Sequence, residues 1–440
     1  MSDLDHSHSQ QPLKGGTGMS RLKMKFQQGE LIVSTVSLVT ATLGAGIITL
    51  PYLALINGIV LSSLLITFGA VISYFWSMLL VKWADEIDAD SYEAFAEHWY
   101  GPRAAQVTSW INICTLMGFV VSYIVFVKTL VPHIFEVFFG VHYILGISEY
   151  GSSASELLWA IVYTIFILIP LSLAKNLGTL RYNSMFGVMW CFYLMSWFIW
   201  LFLVDRSLVP SISKNIADAN YFIISSSGLV TSIPFVVFAF MYQPNVPLIY
   251  RELNNRSYNK IHKVLIIGSC GVVVIYVITW AFGYLGLVNQ PEMLSILYIK
   301  SNILQIDYEN WAFNIAILGL LFWVFAAAPM SFIPAKAAYE QSMYGREGMT
   351  RNQNIVVTIC MCMICLLLAV AFPGISEVIT VLGCTTNPMT GFILPLVFYL
   401  KIIKDIPLYK KVIWWAILVF MVLISWMGMY QFWNEKLRSS

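Results

Sequence analysis

The chain has 440 residues, of which 59% are hydrophobic and only 11% are charged, and its formal net charge is +2. Soluble domains carry about 25% charged residues because their surfaces face water, so a water-soluble enzyme is excluded as the main body. The small net charge also argues against binding nucleic acid. The seven cysteines lie in apolar stretches, which is typical of packing residues. The composition therefore predicts a polytopic membrane protein whose surface contacts lipid.

Residues 1–29 are polar and lack the apolar segment of a signal peptide, so they are predicted to form a flexible cytoplasmic tail. From residue 30 to residue 433, the chain repeats apolar runs long enough to cross a bilayer core of about 30 Å. These runs do not alternate as barrel strands do, and open strands would leave backbone groups unpaired in lipid, so helices are predicted. The eleven predicted spans, numbered in chain order, cover 30–55, 58–82, 104–128, 155–174, 184–204, 227–249, 263–288, 311–336, 353–372, 375–400 and 411–433. Span 3 is expected to continue towards Phe139, and residues 434–440 to form a short tail.

The distribution of basic residues predicts the orientation of the spans. If the N-terminus is cytoplasmic, 19 of the 25 Lys and Arg residues fall on the cytoplasmic side. This bias is the one that the positive-inside rule describes, and it agrees with an odd number of spans. The plasma membrane and a vacuolar or endosomal membrane fit equally well, so both stay open.

Two spans carry residues that disfavour a continuous helix, whereas the others are predicted to be continuous. Span 1 contains Leu-Gly-Ala-Gly-Ile at residues 43–47, and span 6 contains Pro234, Pro244 and Pro247. Glycine tolerates non-helical dihedral angles, and proline removes a helical hydrogen bond. Ordinary kinks would also use these residues. However, breaks five spans apart fall at matching positions of two inverted halves, which points to the binding site of a secondary transporter.

Broken helices at membrane depth offer complementary partners for a zwitterion. The N-terminus of a half-helix presents free N–H groups and a positive dipole end, which suit a carboxylate. Freed carbonyl groups suit an ammonium group or a cation. A zwitterion therefore fits the paired breaks of spans 1 and 6.

Residues 41–52, with the sequence Ala-Thr-Leu-Gly-Ala-Gly-Ile-Ile-Thr-Leu-Pro-Tyr, resemble the first-helix signature of the amino acid/auxin permease family. Residues 238–245 and 247–253 resemble its sixth-helix motif, and the nearest branch is that of the sodium-coupled and vacuolar neutral amino acid transporters. The resemblance covers about 30–433. It implies an all-α polytopic fold of eleven helices, with an inverted five-helix repeat of the leucine-transporter kind and one extra C-terminal helix. It also implies secondary active transport of amino acids, with neutral ones expected.

The resemblance further implies substrate-binding residues at the two breaks. The backbone at 44–47 would bind the α-carboxylate, the backbone at 238–240 would bind the α-amino group, and Tyr242 or Phe240 would wall the side-chain pocket. The full implied set is Thr42, Leu43, Gly44, Ala45, Gly46, Ile47, Phe238, Ala239, Phe240 and Tyr242.

Two departures from the family pattern bear on the coupling ion. Gln243 stands where the sixth-helix motif usually has His. Thr40 stands where sodium-coupled relatives have Asn, and residues 326–328 of span 8 are alanines, so that Ser331 is the nearest hydroxyl. Hard cations prefer several oxygen ligands. The departures therefore favour proton coupling or facilitated exchange over sodium coupling.

Ionisable residues inside a membrane are functional candidates. Glu377 at the start of span 10 and Glu136 near the end of span 3 are the candidate proton carriers, beside Thr40 and Ser331 as candidate ion ligands. At span ends, lysines such as Lys128 and Lys336 are expected to reach water.

Other classes of membrane protein are less compatible with the sequence. An amino acid sensor that does not transport is the main alternative, but the short N-terminal tail offers it no signalling domain. A channel would need a continuous polar lining, and an intramembrane enzyme would need converging His, Asp or Ser residues. Cys360, Cys362 and Cys365 point in different directions on a helix. No catalytic residue, cofactor or metal is therefore expected, and the partners are the amino acid, a cation and lipid.

Overall fold

The computed structural model describes residues 29–44, 46–89, 91–139, 143–144, 148–149, 153–173, 181–345, 348–402 and 408–439. Within these ranges, nine helices are each long and apolar enough to cross a membrane, and the number of spans is 11 when each of two bent helix pairs is counted as one span. The eleven predicted spans are thus confirmed. The predicted N-terminal tail falls almost entirely outside the described residues.

The spans generally begin or end beyond the apolar runs that predict them. Their observed bounds are Leu31–Thr42 with Gly46–Asn57 for span 1, Ile59–Ile87, Pro102–Phe139, Ser153–Ser172, Arg181–Leu203, Ser226–Ala239 with Val246–Glu252 for span 6, Tyr258–Leu287, Trp311–Tyr344, Arg351–Ala371, Ile375–Cys384 with Thr386–Ile402 for span 10, and Leu408–Ser439. Span 3 reaches Phe139 as expected. Residues 434–439, predicted as part of a tail, continue the helix of span 11.

Short elements connect several spans. They are the helices Tyr92–Tyr100, Ile212–Asp218 and Pro291–Lys300, the 3-10 turn Ile303–Gln305, and the two short strands Tyr143–Ile144 and Ser148–Glu149. The strands pair antiparallel, with Tyr143 opposite Glu149.

Polar side chains fix where several helices begin. The hydroxyl of Ser257 accepts a hydrogen bond from the Lys260 N–H at 3.2 Å at the start of span 7. Thr350 and Gln353 form a capping box at the start of span 9, in which each side chain accepts from the backbone N–H of the other. Such caps satisfy N–H groups that have no partner within the helix.

Packing divides the spans into a core and a periphery. Spans 3 and 8 share the most extensive contact, and spans 1, 2, 5 and 7 pack around one another beside them. Span 11 packs on spans 6 and 10 and leaves Trp415, Phe420 and Trp426 exposed. Span 11 is therefore an additional helix on the outside of the core.

Gly383 brings spans 6 and 10 into close contact, and this contact yields a stability prediction. A Cβ atom added at Gly383 would overlap the carbonyl oxygen of Pro234. Because backbone cannot move aside easily, we expect Gly383→Ala to lower the free energy of unfolding by about 1–3 kcal/mol. Thermal unfolding of the purified protein in detergent measures this loss. Gly271→Ala in span 7 is the matched control, since a Cβ there meets no described atom within 4 Å, and equal melting temperatures for the two variants would contradict the prediction.

Candidate functional site

The helix of span 1 is interrupted where the sequence predicts a break. The first half ends at Thr42, Leu43 is extended with φ −69° and ψ 96°, and the second half begins at Gly46. The two halves are bent by 59°. A Cβ placed at Gly44 would meet no described atom within 4 Å, so the main chain faces open space here. Ala45 lies outside the described residues.

Span 6 is interrupted at the position predicted from its prolines. The first half ends at Ala239, and Phe240 leaves the helical region with φ −116° and ψ 27°. The N–H of Met241 bonds to the Phe238 carbonyl at 3.3 Å and that of Tyr242 to the Phe240 carbonyl at 3.1 Å. The chain therefore turns tightly before the helix resumes at Val246.

The two breaks meet in space. A Cβ added at Gly46 would lie 3.5 Å from both Cα and Cβ of Ala239. The hydroxyl of Tyr276, on span 7, donates to the carbonyl oxygen of Thr42 at 2.8 Å and points also to that of Ala239 at 3.3 Å. One hydroxyl thus joins the carbonyl ends of both first half-helices. The sequence gives no signal for Tyr276, because a tyrosine in an apolar helix usually serves in packing.

The electrostatics of the meeting point follow from the helix termini. The C-terminal ends of two half-helices carry partial negative charge and converge at Tyr276, which favours a cationic group. The N-terminal end of the second half of span 1 carries partial positive charge and begins at Gly46 in the same place. Among its first N–H groups, that of Ile47 bonds to the Gly44 carbonyl at 3.3 Å. The arrangement suits a zwitterion.

The predicted aromatic residues occupy different surroundings. Phe238 packs edge-on against Phe119 of span 3, with ring centroids 5.5 Å apart. Phe240 packs against Tyr276, with centroids 5.7 Å apart. The hydroxyl of Tyr242 is 2.9 Å from that of Ser269. All three predicted rings are buried, and Phe238 is the one that faces span 3.

The described hydrogen bonds of the candidate ion residues go to different partners and do not bring these residues together. The Thr40 hydroxyl donates to the Val36 carbonyl in its own helix at 2.8 Å. Ser331 is hydrogen-bonded to Tyr123 of span 3. The carboxylate of Glu377 accepts from the adjacent Ser376 hydroxyl at 3.0 Å in the first turn of span 10. Glu136 lies half-buried in the last turns of span 3.

The expectation that Lys128 and Lys336 reach water is wrong, because both are buried. Lys128 Nζ lies 2.6 Å from the carbonyl oxygen of Phe372, at the end of span 9, and 3.3 Å from a carboxylate oxygen of Glu156 in span 4.

Lys336 Nζ lies 2.6 Å from the carbonyl oxygen of Ser172, at the end of span 4. Each lysine therefore binds a helix C-terminus, whose carbonyl groups and dipole favour a cation. These contacts join span 3 to spans 4 and 9 and span 8 to span 4.

Span 10 is broken, although the sequence predicts a continuous helix there, and this prediction is wrong. The helix ends at Cys384, Thr385 adopts φ −121° and ψ −89°, and a π-helical turn follows at Met389–Ile393. The two parts are bent by 40°. Pro388 has no N–H to bond the carbonyl of Cys384, so the Thr-Thr-Asn-Pro sequence at 385–388 is the signal for the break.

Broken helices in spans 1 and 6, five spans apart and meeting through their carbonyl ends, define a secondary transporter built from inverted repeats. Solved structures share this fold. The crystal structure of MhsT in complex with L-phenylalanine aligns with a TM-score of 0.59 and 12% identity, over 91% of this chain and 98% of that chain. A substrate-bound, outward-open Na⁺-coupled sialic acid symporter aligns with a TM-score of 0.53 and 12% identity, over 87% and 80% of the two chains. The predicted leucine-transporter-like fold is confirmed.

The family model described as transmembrane amino acid transporter protein matches residues 27–433. The chain belongs to this family, and it is a transporter rather than an enzyme. The sodium-coupled neutral amino acid symporter 2 of Danio rerio is 25% identical over 394 residues, covering 84% of this chain and 75% of the relative. The human sodium-coupled neutral amino acid transporter 4 is 24% identical over 435 residues, covering 84% and 78%.

Proposed function

We propose that the protein carries neutral amino acids across a membrane together with a cation, by alternating access around the breaks of spans 1 and 6. The observation that carries this proposal is the convergence of the Thr42 and Ala239 carbonyl groups on the Tyr276 hydroxyl, beside the N-terminus that begins at Gly46. The relatives with sodium-coupled neutral amino acid transport in their names support the same class of substrate. The comparisons give no support to the sensor alternative.

The amino acid backbone would bind to the main chain of the breaks. Its ammonium group has three donors and would satisfy the carbonyl groups of Thr42 and Ala239, which a single hydroxyl shares in the structure. Its carboxylate would accept from N–H groups of residues 44–47, at the positive end of a half-helix. The predicted site residues keep these roles as proposals.

A neutral side chain fits the surroundings of the breaks. The side chains that contact the two breaks in the described structure include those of Phe119, Ser269 and Tyr276, which are uncharged. Beside these three uncharged side chains, an ionised substrate side chain would lose hydration at a cost in free energy. We therefore place neutral amino acids first among the substrates.

Spans 3, 4, 8 and 9 would form the static part of the transport cycle. The buried lysines at positions 128 and 336 join them through helix ends and an ion pair, and spans 1 and 6 with span 7 would move against them. We also propose a cytoplasmic N-terminus, from the distribution of basic residues, and residence in the plasma membrane or a vacuolar or endosomal membrane.

The coupling cation has two candidates. We place the proton first because the Thr40 hydroxyl donates to a carbonyl group of its own helix and because residues 326–328 carry no side-chain oxygen. The carriers would be Glu377 or Glu136. Sodium is the second candidate, favoured by the names of the relatives.

Uptake into proteoliposomes separates the two cations. With the purified protein and a panel of radiolabelled neutral amino acids, we expect an inward proton gradient to raise the initial uptake rate several-fold. Replacing external sodium with choline should leave that rate unchanged. Stimulation by a sodium gradient alone would overturn proton coupling, and no uptake of any amino acid under either gradient would contradict the proposed function.

A further inference from the structure

A cavity of about 350 Å³ lies between the last turns of span 5 and the start of span 8. Its volume falls within the range of small-molecule sites, which begins at about 300 Å³. Four aromatic side chains line the cavity: Tyr193, Trp197 and Trp200 from span 5, and Trp311 from span 8. Trp200 is 42% exposed and Trp311 is 74% exposed, so these two rings form an accessible rim.

The inner wall of the cavity is fixed by contacts between the two spans. The hydroxyl of Tyr193 donates to the carbonyl oxygen of Ala312 at 3.0 Å. The ring of Trp197 packs on that of Phe313, with centroids 4.4 Å apart. Span 8 therefore holds Tyr193 and Trp197 in place before any ligand enters.

The same cavity offers partners for an anion. Trp197 is 5% exposed, and its buried indole N–H has no hydrogen-bond partner among the described residues. Span 8 begins beside it, where the side-chain oxygen of Asn310 accepts from the Ala312 N–H at 2.9 Å. The positive end of this long helix favours negative charge, and a buried donor without a partner costs free energy. A ligand with a phosphate oxygen would satisfy both.

The aromatic rings favour a cation that has no hydrogen-bond donors. The faces of Trp and Tyr rings attract cations, and aromatic cages of this kind bind quaternary ammonium groups. Two exposed acidic residues, Asp307 and Glu309, stand in the segment just before Asn310 and add negative charge at the same end of span 8. The cavity thus combines donors for a phosphate with rings for a quaternary ammonium group.

The surroundings of the cavity are those of a lipid. Ser196 and Trp200 belong to the exposed face of a continuous helix, and three apolar residues at helical spacing extend this face along span 5. These residues are Met185, Met189 and Phe192, all of which are exposed. An acyl chain can lie along this apolar face, and tryptophan is enriched at the depth of lipid headgroups.

We infer that the cavity binds the phosphocholine headgroup of a membrane lipid, whose acyl chain lies along the exposed face of span 5. The indole N–H of Trp197 donates to a phosphate oxygen, and the rings of Trp200 and Trp311 contact the trimethylammonium group. The cavity shares no residue with the breaks of spans 1 and 6, so this inference is independent of the proposed transport.

The test is native mass spectrometry of the purified full-length protein, titrated with three lipids that have the same acyl chains. Phosphatidylethanolamine replaces the quaternary ammonium with a hydrated primary one, and phosphatidylglycerol has no cation. We expect one phosphatidylcholine to bind several-fold more tightly than either. Trp311→Leu should weaken binding of phosphatidylcholine about fivefold and change binding of the other two lipids little.

Trp197→Phe keeps a ring but removes the N–H, so it should weaken binding of all three lipids, which share the phosphate. This different pattern separates the two proposed contacts. It also provides the test if Trp311→Leu does not fold.

Trp433→Leu is the matched control, because Trp433 is an exposed tryptophan near the end of span 11, which ends on the same membrane side as span 5. It should leave the affinity for phosphatidylcholine at the wild-type value. Equal affinities for the three lipids, or an equal loss in Trp311→Leu and Trp433→Leu, would overturn the site and assign Trp311 to general interfacial anchoring. Competition by soluble glycerophosphocholine as strong as that by the lipid would overturn the role of the acyl chain.

Discussion

Replacing Gly46 with leucine is expected to abolish amino acid uptake and leave a folded, membrane-inserted protein. A Cβ atom at Gly46 already reaches ordinary contact distance from Ala239, at 3.5 Å, and from the Phe238 ring, at 3.7 Å. The remaining three carbon atoms of leucine must enter the space where the two breaks meet. They would separate the half-helices and cover the N–H groups proposed to bind the carboxylate. Uptake into proteoliposomes, together with the gel-filtration profile of the purified variant, measures the two expectations.

The matched control is Gly271→Leu in span 7. A Cβ at Gly271 meets no atom within 4 Å in the described structure, so the same substitution adds its bulk away from the breaks. We expect this control to transport at the wild-type rate. Normal uptake by Gly46→Leu would place the substrate elsewhere.

Replacing Tyr276 with phenylalanine is expected to lower kcat/KM for uptake by about tenfold or more. The ring, and with it the packing on Phe240, is retained. The hydroxyl that joins the Thr42 and Ala239 carbonyl groups is lost, so the two breaks are no longer held in one alignment. Initial rates of uptake as a function of amino acid concentration give kcat and KM separately.

Tyr284→Phe in the same helix provides the control for the lost hydroxyl. The hydroxyl of Tyr284 accepts a hydrogen bond from the Asn220 N–H at 3.3 Å, at the far end of span 7. We expect Tyr284→Phe to transport like the wild-type protein. If both tyrosine variants showed the same kcat/KM, Tyr276 would have no specific role in joining the breaks.

The spans and two of the breaks could be predicted because their causes are local. A run of about 20 apolar residues must cross the bilayer as a helix, and the Gly-Ala-Gly sequence and the prolines act on their own turn of helix. Span ends are less predictable, since helices continue past the apolar runs, as the helix of span 8 does to Tyr344. The break of span 10 also has a local signal, Pro388 after three polar residues. The residues on either side of this signal in span 10 are largely apolar, and they favour a continuous helix.

The contacts between spans could not be predicted. Tyr276 contacts Thr42 and Ala239, which precede it in the chain by 234 and 37 positions. Nothing in the sequence of span 7 indicates these contacts. The two lysines bind the ends of other helices because those ends fall beside them in the packed structure. A single sequence shows that a lysine is near a span end, but it does not show whether water or a carbonyl group is the nearer partner.

The most direct test of the central claim is an experimental density map of the protein with a bound neutral amino acid. The two-break site predicts that the ammonium group lies within hydrogen-bond distance of the Thr42 and Ala239 carbonyl oxygens and that the carboxylate lies within the same distance of N–H groups at 44–47. Density for the amino acid away from these groups, or unbroken helices through residues 43–45 and 240–242, would contradict it.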